Sequence, residues 1–296
     1  MRIVISGASG LIGSALSHFL RDQGHDVAHL VRRPSRAAHE IRWDPATGDI
    51  DIDALVGYDA VVHLAGAGVG DKRWTAAYKR EILDSRVNGT GTIARALASR
   101  TDTPRIFVCG SAIGFYGDTG STAFTEDAKP GQGFLADVVV AWEAAAKPAI
   151  DAGVRVTFAR TGLVAAPKAG AFGKLLPLFR LGLGGKLASG RQYWSLISLR
   201  DELRAIEFLL THELQGAFNL TAPEPRTNAD VTRALAKALR RPAVFPVPAF
   251  ALRIVVGEFA GDITGSQRVV PQRLLQAGFD FKDASLEQVI AELLRA

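Results

Sequence analysis

Short apolar runs and longer amphipathic stretches alternate through the first half of the chain. Arg2–Ser6 is an apolar run, and residues 14–20 after it carry the spacing of an amphipathic helix. Further apolar runs follow at residues 27–31, 60–64, 105–109 and 155–158. Between them, residues 75–99 and 134–151 are long enough for helices. Apolar strands that do not alternate, separated by helices, predict a parallel sheet covered on both faces. The expected fold class is therefore α/β, a doubly wound parallel sheet of Rossmann type. Ligands of such sheets bind at the C-terminal ends of the strands. Arg32, Leu64, Ala65, Gly66, Ser111 and Arg160 fall at such ends.

The second half changes character. Residues 170–190 mix many glycines with Leu, Phe and Lys. Residues 196–210 read as a return to the first domain with another helix, and residues 216–221 as a short strand. Pro223-Glu224-Pro225 breaks the chain, and Asn228 is a plausible cap for the helix that follows. Residues 242–296 are rich in Pro and Val, with a terminal helix near residues 286–294. The expected division is a cofactor-binding domain at 1–165, rejoined by 190–222. A small C-terminal substrate lobe takes 166–189 and 223–296.

The first strand runs into Gly7-Ala8-Ser9-Gly10-Leu11-Ile12-Gly13. A strand, a glycine turn and a helix in that order suit a dinucleotide pyrophosphate. Gly7 allows a tight exit from the strand, Gly10 leaves room for phosphates, and Gly13 lets the helix pack close to the sheet. At the end of the second strand stand Arg32 and Arg33, with no acid beside them. An acid there suits the ribose hydroxyl of NAD, and a basic fork suits the 2′-phosphate of NADP. The expected cofactor is NADP.

Composition narrows the classes. The chain has 296 residues, 48% hydrophobic and 22% charged, as in ordinary globular proteins. Its net charge of +5 is spread along the sequence, with no Lys/Arg tract and no zinc-finger spacing, which argues against nucleic acid. The single cysteine, Cys109, excludes an intrachain disulfide and argues against a cysteine-based metal site, so no metal is expected. No signal peptide and no run of about 18 apolar residues is present, so a cytoplasmic protein without a membrane span is expected.

The motif order resembles a known family. G-x-x-G-x-x-G is the cofactor signature of extended short-chain dehydrogenase/reductases, the nucleotide-sugar epimerase and dehydratase superfamily. His63-Leu64-Ala65-Gly66, Asp84-Ser85-Arg86, Gly110-Ser111-Ala112 with Phe115-Tyr116-Gly117, and Trp142-Glu143 resemble its atypical epimerase branch. So do residues 180–185, Gly257-Glu258-Phe259 and Ser266-Gln267-Arg268-Val269. The resemblance implies that Gly7, Ser9, Gly10, Leu11, Ile12 and Gly13 hold the pyrophosphate and Arg32 the 2′-phosphate. It places Leu64 and Ala65 on the adenosine side, adds Glu81 and Arg86 as cofactor contacts, and has Arg160 close the nicotinamide end.

The same family uses Tyr-x-x-x-Lys as its acid/base pair. Aligned on Glu143, those positions are Leu135 and Val139, and no Tyr-x-x-x-Lys occurs in the chain. Ser111 and Tyr116 are the remaining catalytic candidates. Trp74, Phe172 and Trp194 are candidate substrate contacts, with packing between lobes as the alternative. Ser198 stands where the branch tends to carry a histidine. Two functional readings follow: an NADP-binding oxidoreductase or nucleotide-sugar-epimerase-like protein, or a catalytically silent, cofactor-responsive binding protein. The expected partner is a small molecule, a nucleotide sugar or another carbonyl or hydroxyl compound. The expected oligomer is a monomer or homodimer.

Overall fold

The structure, a computed structural model, describes residues 1–295. In chain order the elements begin β1 (Arg2–Ser6), α1 (Leu11–Asp22), β2 (Asp26–Val31), β3 (Glu40–Asp44), β4 (Asp49–Ile50), β5 (Ala60–His63) and α2 (Ala76–Ser99). They continue with β6 (Ile106–Ala112), α3 (Phe134–Ala144), α4 (Lys147–Asp151), β7 (Arg155–Thr161), β8 (Leu163–Ala165) and α5 (Gly170–Arg180). Then come β9 (Tyr193–Trp194), β10 (Leu196–Ser198), α6 (Leu199–Thr211), β11 (Gly216–Leu220), β12 (Arg226–Thr227) and α7 (Asn228–Leu239). The chain closes with α8 (Ala249–Val256), α9 (Ala260–Thr264), α10 (Gln272–Gln276) and α11 (Leu286–Arg295).

Eight strands form one sheet in the order β11-β7-β6-β5-β1-β2-β3-β4. Every pairing is parallel except β3 with β4. Alternation along β1 shows why both faces are covered. Ile3 and Ile5 point to one face, where α1 and α6 supply Leu16, Leu20, Ile206 and Leu209. Val4 points to the other, where α2 and α3 supply Ile93, Leu97, Val139 and Trp142. Because each strand must bury both faces, polar residues gather at the strand ends, and that is where the site forms. No helix among the described residues is long and apolar enough to cross a membrane.

A separate core lies among α5, α7 and α11, built on Phe172, Leu176, Val231, Leu235, Val289 and Leu293. α6 opens at Ser198, whose hydroxyl accepts from the Asp201 amide at 3.1 Å and donates to Asp283 Oδ2 at 2.7 Å. The residue at the expected histidine position is thus a helix cap tied to the C-terminal segment.

Three local features depart from expectation. The helix expected over 134–151 is broken into α3 and α4, because Pro148 has no N–H to continue the ladder. The cap of α7 is Thr227, not Asn228. Thr227 and Asp230 form a reciprocal capping box, and Asn228 instead accepts the Leu187 amide at 2.8 Å. Third, β3 and β4 extend the sheet with Ile41 and Trp43 buried, a hairpin that the short alternation in 40–44 only hints at.

Phe172 is fully buried in the smaller core. Phe172→Ala is expected to cost about 3–5 kcal/mol of stability. Chemical denaturation checks this. A cost below about 1 kcal/mol would show that the side chain is not a core anchor.

Candidate functional site

The strand order reverses between β1 and β5: β2 lies beyond β1 on one side and β6 beyond β5 on the other. A crevice opens outside the strand ends at such a reversal. Gly7 leaves β1 with φ of 71°. A Cβ on Gly7 would lie 2.7 Å from Ala65 N and 2.7 Å from Leu64 C. A Cβ on Gly13 would lie 2.3 Å from Gly7 O. No side chain fits at either position, so strand, turn, helix and the end of β5 meet backbone to backbone. Gly10 is different. It is exposed, and its Cβ would meet only Gly7 O, at 3.3 Å. Its absent side chain leaves open the approach to the N-terminus of α1.

That helix start has no side-chain cap and no acid in its first turn. Its first amides lack intrahelical carbonyl partners and carry the positive end of the helix dipole. Ser9 is exposed, and Leu11 and Ile12 are half-buried beside it. Below the turn, Ser6 Oγ lies 2.6 Å from His63 Nδ1 and accepts the Leu64 amide at 3.1 Å. Burial, reinforced by Arg86, holds the His63 imidazole down at about 3, so it is neutral. Ser6 and His63, not singled out in the sequence, pin β1 to β5 where the crevice opens.

The two arginines after β2 have different places. Arg33 is held by Glu40, with contacts of 2.8 and 2.5 Å. The Arg33 hydrogen bonds keep the Glu40 carboxyl down at about 2. Arg32 is exposed and has no side-chain partner among the described residues. Of the expected pair, Arg32 is the free fork and Arg33 is engaged.

Past β5, Arg86 lies against Gly66, whose Cβ would be 3.4 Å from the guanidinium carbon. Its Nη1 donates to Ala67 O at 2.9 Å, and its guanidinium sits 5.0 Å from the Trp142 ring centroid. Burial pushes this guanidinium down to about 10. Glu81 is exposed and faces Lys72 at 3.5 Å.

At the ends of β6 and β7 a polar cluster forms around Glu143. Ser111 Oγ donates to Glu143 Oε1 at 2.6 Å. Arg160 donates to the same carboxylate through Nε and Nη2, both at 2.8 Å. Its Nη1 donates to the Tyr116 hydroxyl at 2.9 Å, and Tyr116 donates to Asn219 Oδ1 at 2.7 Å. The hub of this cluster is Glu143, which sequence reasoning used only to align α3. The signal was available: an acid one turn beyond the position where the family places its lysine.

The expectations for Tyr116 and Phe172 are corrected by this geometry, and the other sequence candidates take the places that follow from their packing. Tyr116 is 1% exposed, with donor and acceptor roles both used inside the protein. Burial pushes its phenol up, away from the range of a proton carrier at neutral pH. Arg160 is buried under Phe115, and its hydrogen bonds go to Glu143 and Tyr116 rather than to an open cleft. Phe172 belongs to a core, not a pocket. Trp194 is half-buried, in a short antiparallel pairing with Arg226. Trp74 packs between Phe134 and Phe259, with ring centroids 4.9 and 5.2 Å away, and its indole donates to Val69 O at 2.8 Å. Leu135 and Val139 lie against Gly114 in the turn at 113–116, so apolar groups fill the family's acid/base positions.

A fully buried carboxyl, Glu202 of α6, lies against the end of β7. Thr161 donates to Glu202 Oε1 at 2.7 Å, while Oε2 is buried without a partner among the described residues. Burial pushes this carboxyl up to about 8.

Comparison with known proteins gives the family and the fold. Residues 3–221 match the family described as NAD dependent epimerase/dehydratase, and residues 247–293 match a domain of unknown function. The chain belongs to this epimerase/dehydratase family, in the atypical branch of the extended short-chain dehydrogenase/reductases. An epimerase family protein of Mycobacterium leprae is 41% identical over 98% of this chain and 94% of its own. The crystal structure of the human epimerase family protein with NADPH superposes with a TM-score of 0.91 at 31% identity, over 100% of this chain and 99% of that one. The Thermus thermophilus UDP-glucose 4-epimerase complex with NAD shares the fold, with a TM-score of 0.74 at 18% identity over the full length of both chains.

Glu202 sets a pH dependence. Its folded pKa, about 8, lies above that of an unfolded carboxylate. The native state therefore binds the extra proton, and this group's contribution to stability falls as pH rises from about 5 towards 8. Gln resembles the protonated form, so Glu202→Gln is expected to gain stability over the parent increasingly between pH 6 and pH 8. Denaturant melts at several pH values check this. A pH-independent difference would show that Glu202 is already ionised in the native state.

Proposed function

We propose that the chain binds NADP at the β1–α1 turn and acts on a hydroxyl or carbonyl of a small molecule. The observation that carries the cofactor reading is the close approach at Gly7 and Gly13 beside an uncapped helix start, with Arg32 free at the end of β2. Amides at the start of α1 would receive the pyrophosphate, with Gly10 giving access. Arg32 would pair with the 2′-phosphate, a role that a permanently charged planar fork fits. Leu64, Ala65 and Gly66 form the floor at the end of β5. The human relative crystallised with NADPH supports the same choice.

A bound nicotinamide would supply a hydride acceptor or donor at the strand ends. The group of this chain suited to the accompanying proton is Ser111, which is 5% exposed and, unlike Tyr116, has lone pairs that no protein donor occupies among the described residues. Its own proton points to Glu143, so its Oγ lone pairs are left to accept from a substrate hydroxyl. A substrate proton would pass to Ser111 Oγ while the serine proton passes to Glu143 Oε1. Arg160 holds that carboxylate in place. A second reading draws on Leu135 and Val139: with apolar groups at both family positions, the chain would bind cofactor and signal its redox state without turnover.

NADP(H) is expected to raise the melting temperature more than NAD(H). Ligand at about 100 times its dissociation constant adds about 2.7 kcal/mol. Arg32→Asp should weaken NADP binding roughly tenfold or more, the scale of one charge-assisted hydrogen bond. Gly10→Trp should abolish both shifts. Equal shifts for the two cofactors, or unchanged binding in either variant, would contradict the assignment. NADPH oxidation across carbonyl compounds separates the two readings: turnover lost in Ser111→Ala supports the first, and no turnover at all supports the second.

A further inference from the structure

Among the described residues, α8 keeps an apolar face uncovered. α8, Ala249–Val256, has no buried residue. Phe250, Ile254 and Val255 expose 69%, 67% and 71% of their surface. On α5 and just beyond it, Leu178 and Leu181 expose 44% and 72%. Exposed large apolar residues gathered in one region mark an interaction site.

The two apolar limbs are fastened together at both ends. At the outer end, Phe245 N donates to Gly184 O at 3.2 Å and Val247 N donates to Lys186 O at 2.9 Å. At the inner end both limbs reach the loop that follows β5. Lys174 of α5 donates to Gly70 O at 3.0 Å, and Arg73 donates to Ile254 O of α8 at 2.8 Å. Lys174, Leu178 and Leu181 recur at helical spacing, so the exposed leucines share a helix face with the lysine turned towards Gly70.

The inner end lies at the cofactor crevice. A Cβ on Gly170, the first residue of α5, would be 3.9 Å from Leu11 in the glycine turn. The loop carrying Gly70 and Arg73 begins where β5 ends, at Leu64–Ala65. The limbs thus run outward from the edge of the crevice that would hold the cofactor.

Charge restricts the occupant further. Residues 152–200 and 231–257 contain no Asp or Glu, although they carry Lys174, Arg180, Lys186 and Arg253. The limbs themselves carry Lys174, Arg180, Lys186 and Arg253 and no acid before Glu258, just past the end of α8. A cationic chain would be repelled, and a neutral or anionic one would not.

We propose that α5 and α8 receive the apolar chain of the substrate, and that the substrate is a neutral or anionic hydroxyl or carbonyl compound with a long hydrocarbon portion. This rests on the cofactor reading above and deepens it. It separates this chain from relatives named for nucleotide sugars.

The test uses the full chain loaded with NADP+ and the alcohols 1-hexanol, 1-octanol and 1-decanol, kept below their solubility limits. Binding is followed by calorimetry and by the fluorescence of Trp74, which packs on Phe259 at the inner end. Affinity is expected to rise by up to about fourfold per methylene, the transfer of one CH₂ from water. Phe250→Asp with Ile254→Asp should remove most of that gain. Both residues are exposed, so the variant should keep its fold and its NADPH melting shift, which reports on the cofactor site alone. UDP-glucose should not displace decanol. Affinity independent of chain length, an unchanged gain in the double variant, or displacement by UDP-glucose would each overturn the proposal. So would a dimer in light scattering that the double variant dissolves, because a second copy would then be what covers α8.

Discussion

The whole site depends on an approach of backbones that leaves no room for a single carbon. Gly7 lies against Leu64 and Ala65, and Gly13 lies against Gly7. Any side chain at these points would push α1 away from the sheet or β1 away from β5. The contact brings four things to one place: the end of β1, the end of β5, the start of α1 and the loop that carries Gly70 and Arg73. The apolar sheet core supplies the force that holds them there, since Ile3, Val4 and Ile5 are fully buried in alternation on the two faces. Glycine supplies the absence of an obstacle. The proposed anion site, made of helix amides, rests on that geometry.

Around this point the protein has placed its titratable groups unusually. His63 is buried and neutral under the turn, and Glu202 is buried with one oxygen unpartnered among the described residues. Glu143 collects Ser111 and Arg160, and Arg160 passes the connection on to Tyr116 and Asn219. A tyrosine and lysine on α3 would do this work in the common family pattern. Here α3 presents Leu135 and Val139, and the polar contacts converge one turn along, on Glu143. In the proposed reaction, protons at the strand ends would move through a serine and a carboxylate rather than a phenol and an ammonium.

Most of the sheet was legible in the sequence because its strands are buried on both faces and read as unbroken apolar runs. The glycine turn was legible for a related reason: no other residue fits at Gly7 and Gly13, so the constraint is written in residue type. Aromatic residues were harder. Tyr116 and Phe172 would look the same in sequence whether they lined a cleft or filled a core, because only tertiary packing decides between those fates. Arg32 and Arg33 were likewise equivalent until Glu40, brought alongside by β3, engaged one of them. Thr227 and Asn228 are both good caps, and the choice between them fell to Asp230 three residues on. The exposure of α8 was not visible at all, since its apolar sequence reads as core.

The most direct test of the account is a crystal structure of this chain with NADPH. The account requires the pyrophosphate against the amides of Gly10, Leu11 and Ile12, with the 2′-phosphate within hydrogen-bonding distance of Arg32. Density for the cofactor elsewhere, or a 2′-phosphate that leaves Arg32 unengaged, would contradict it.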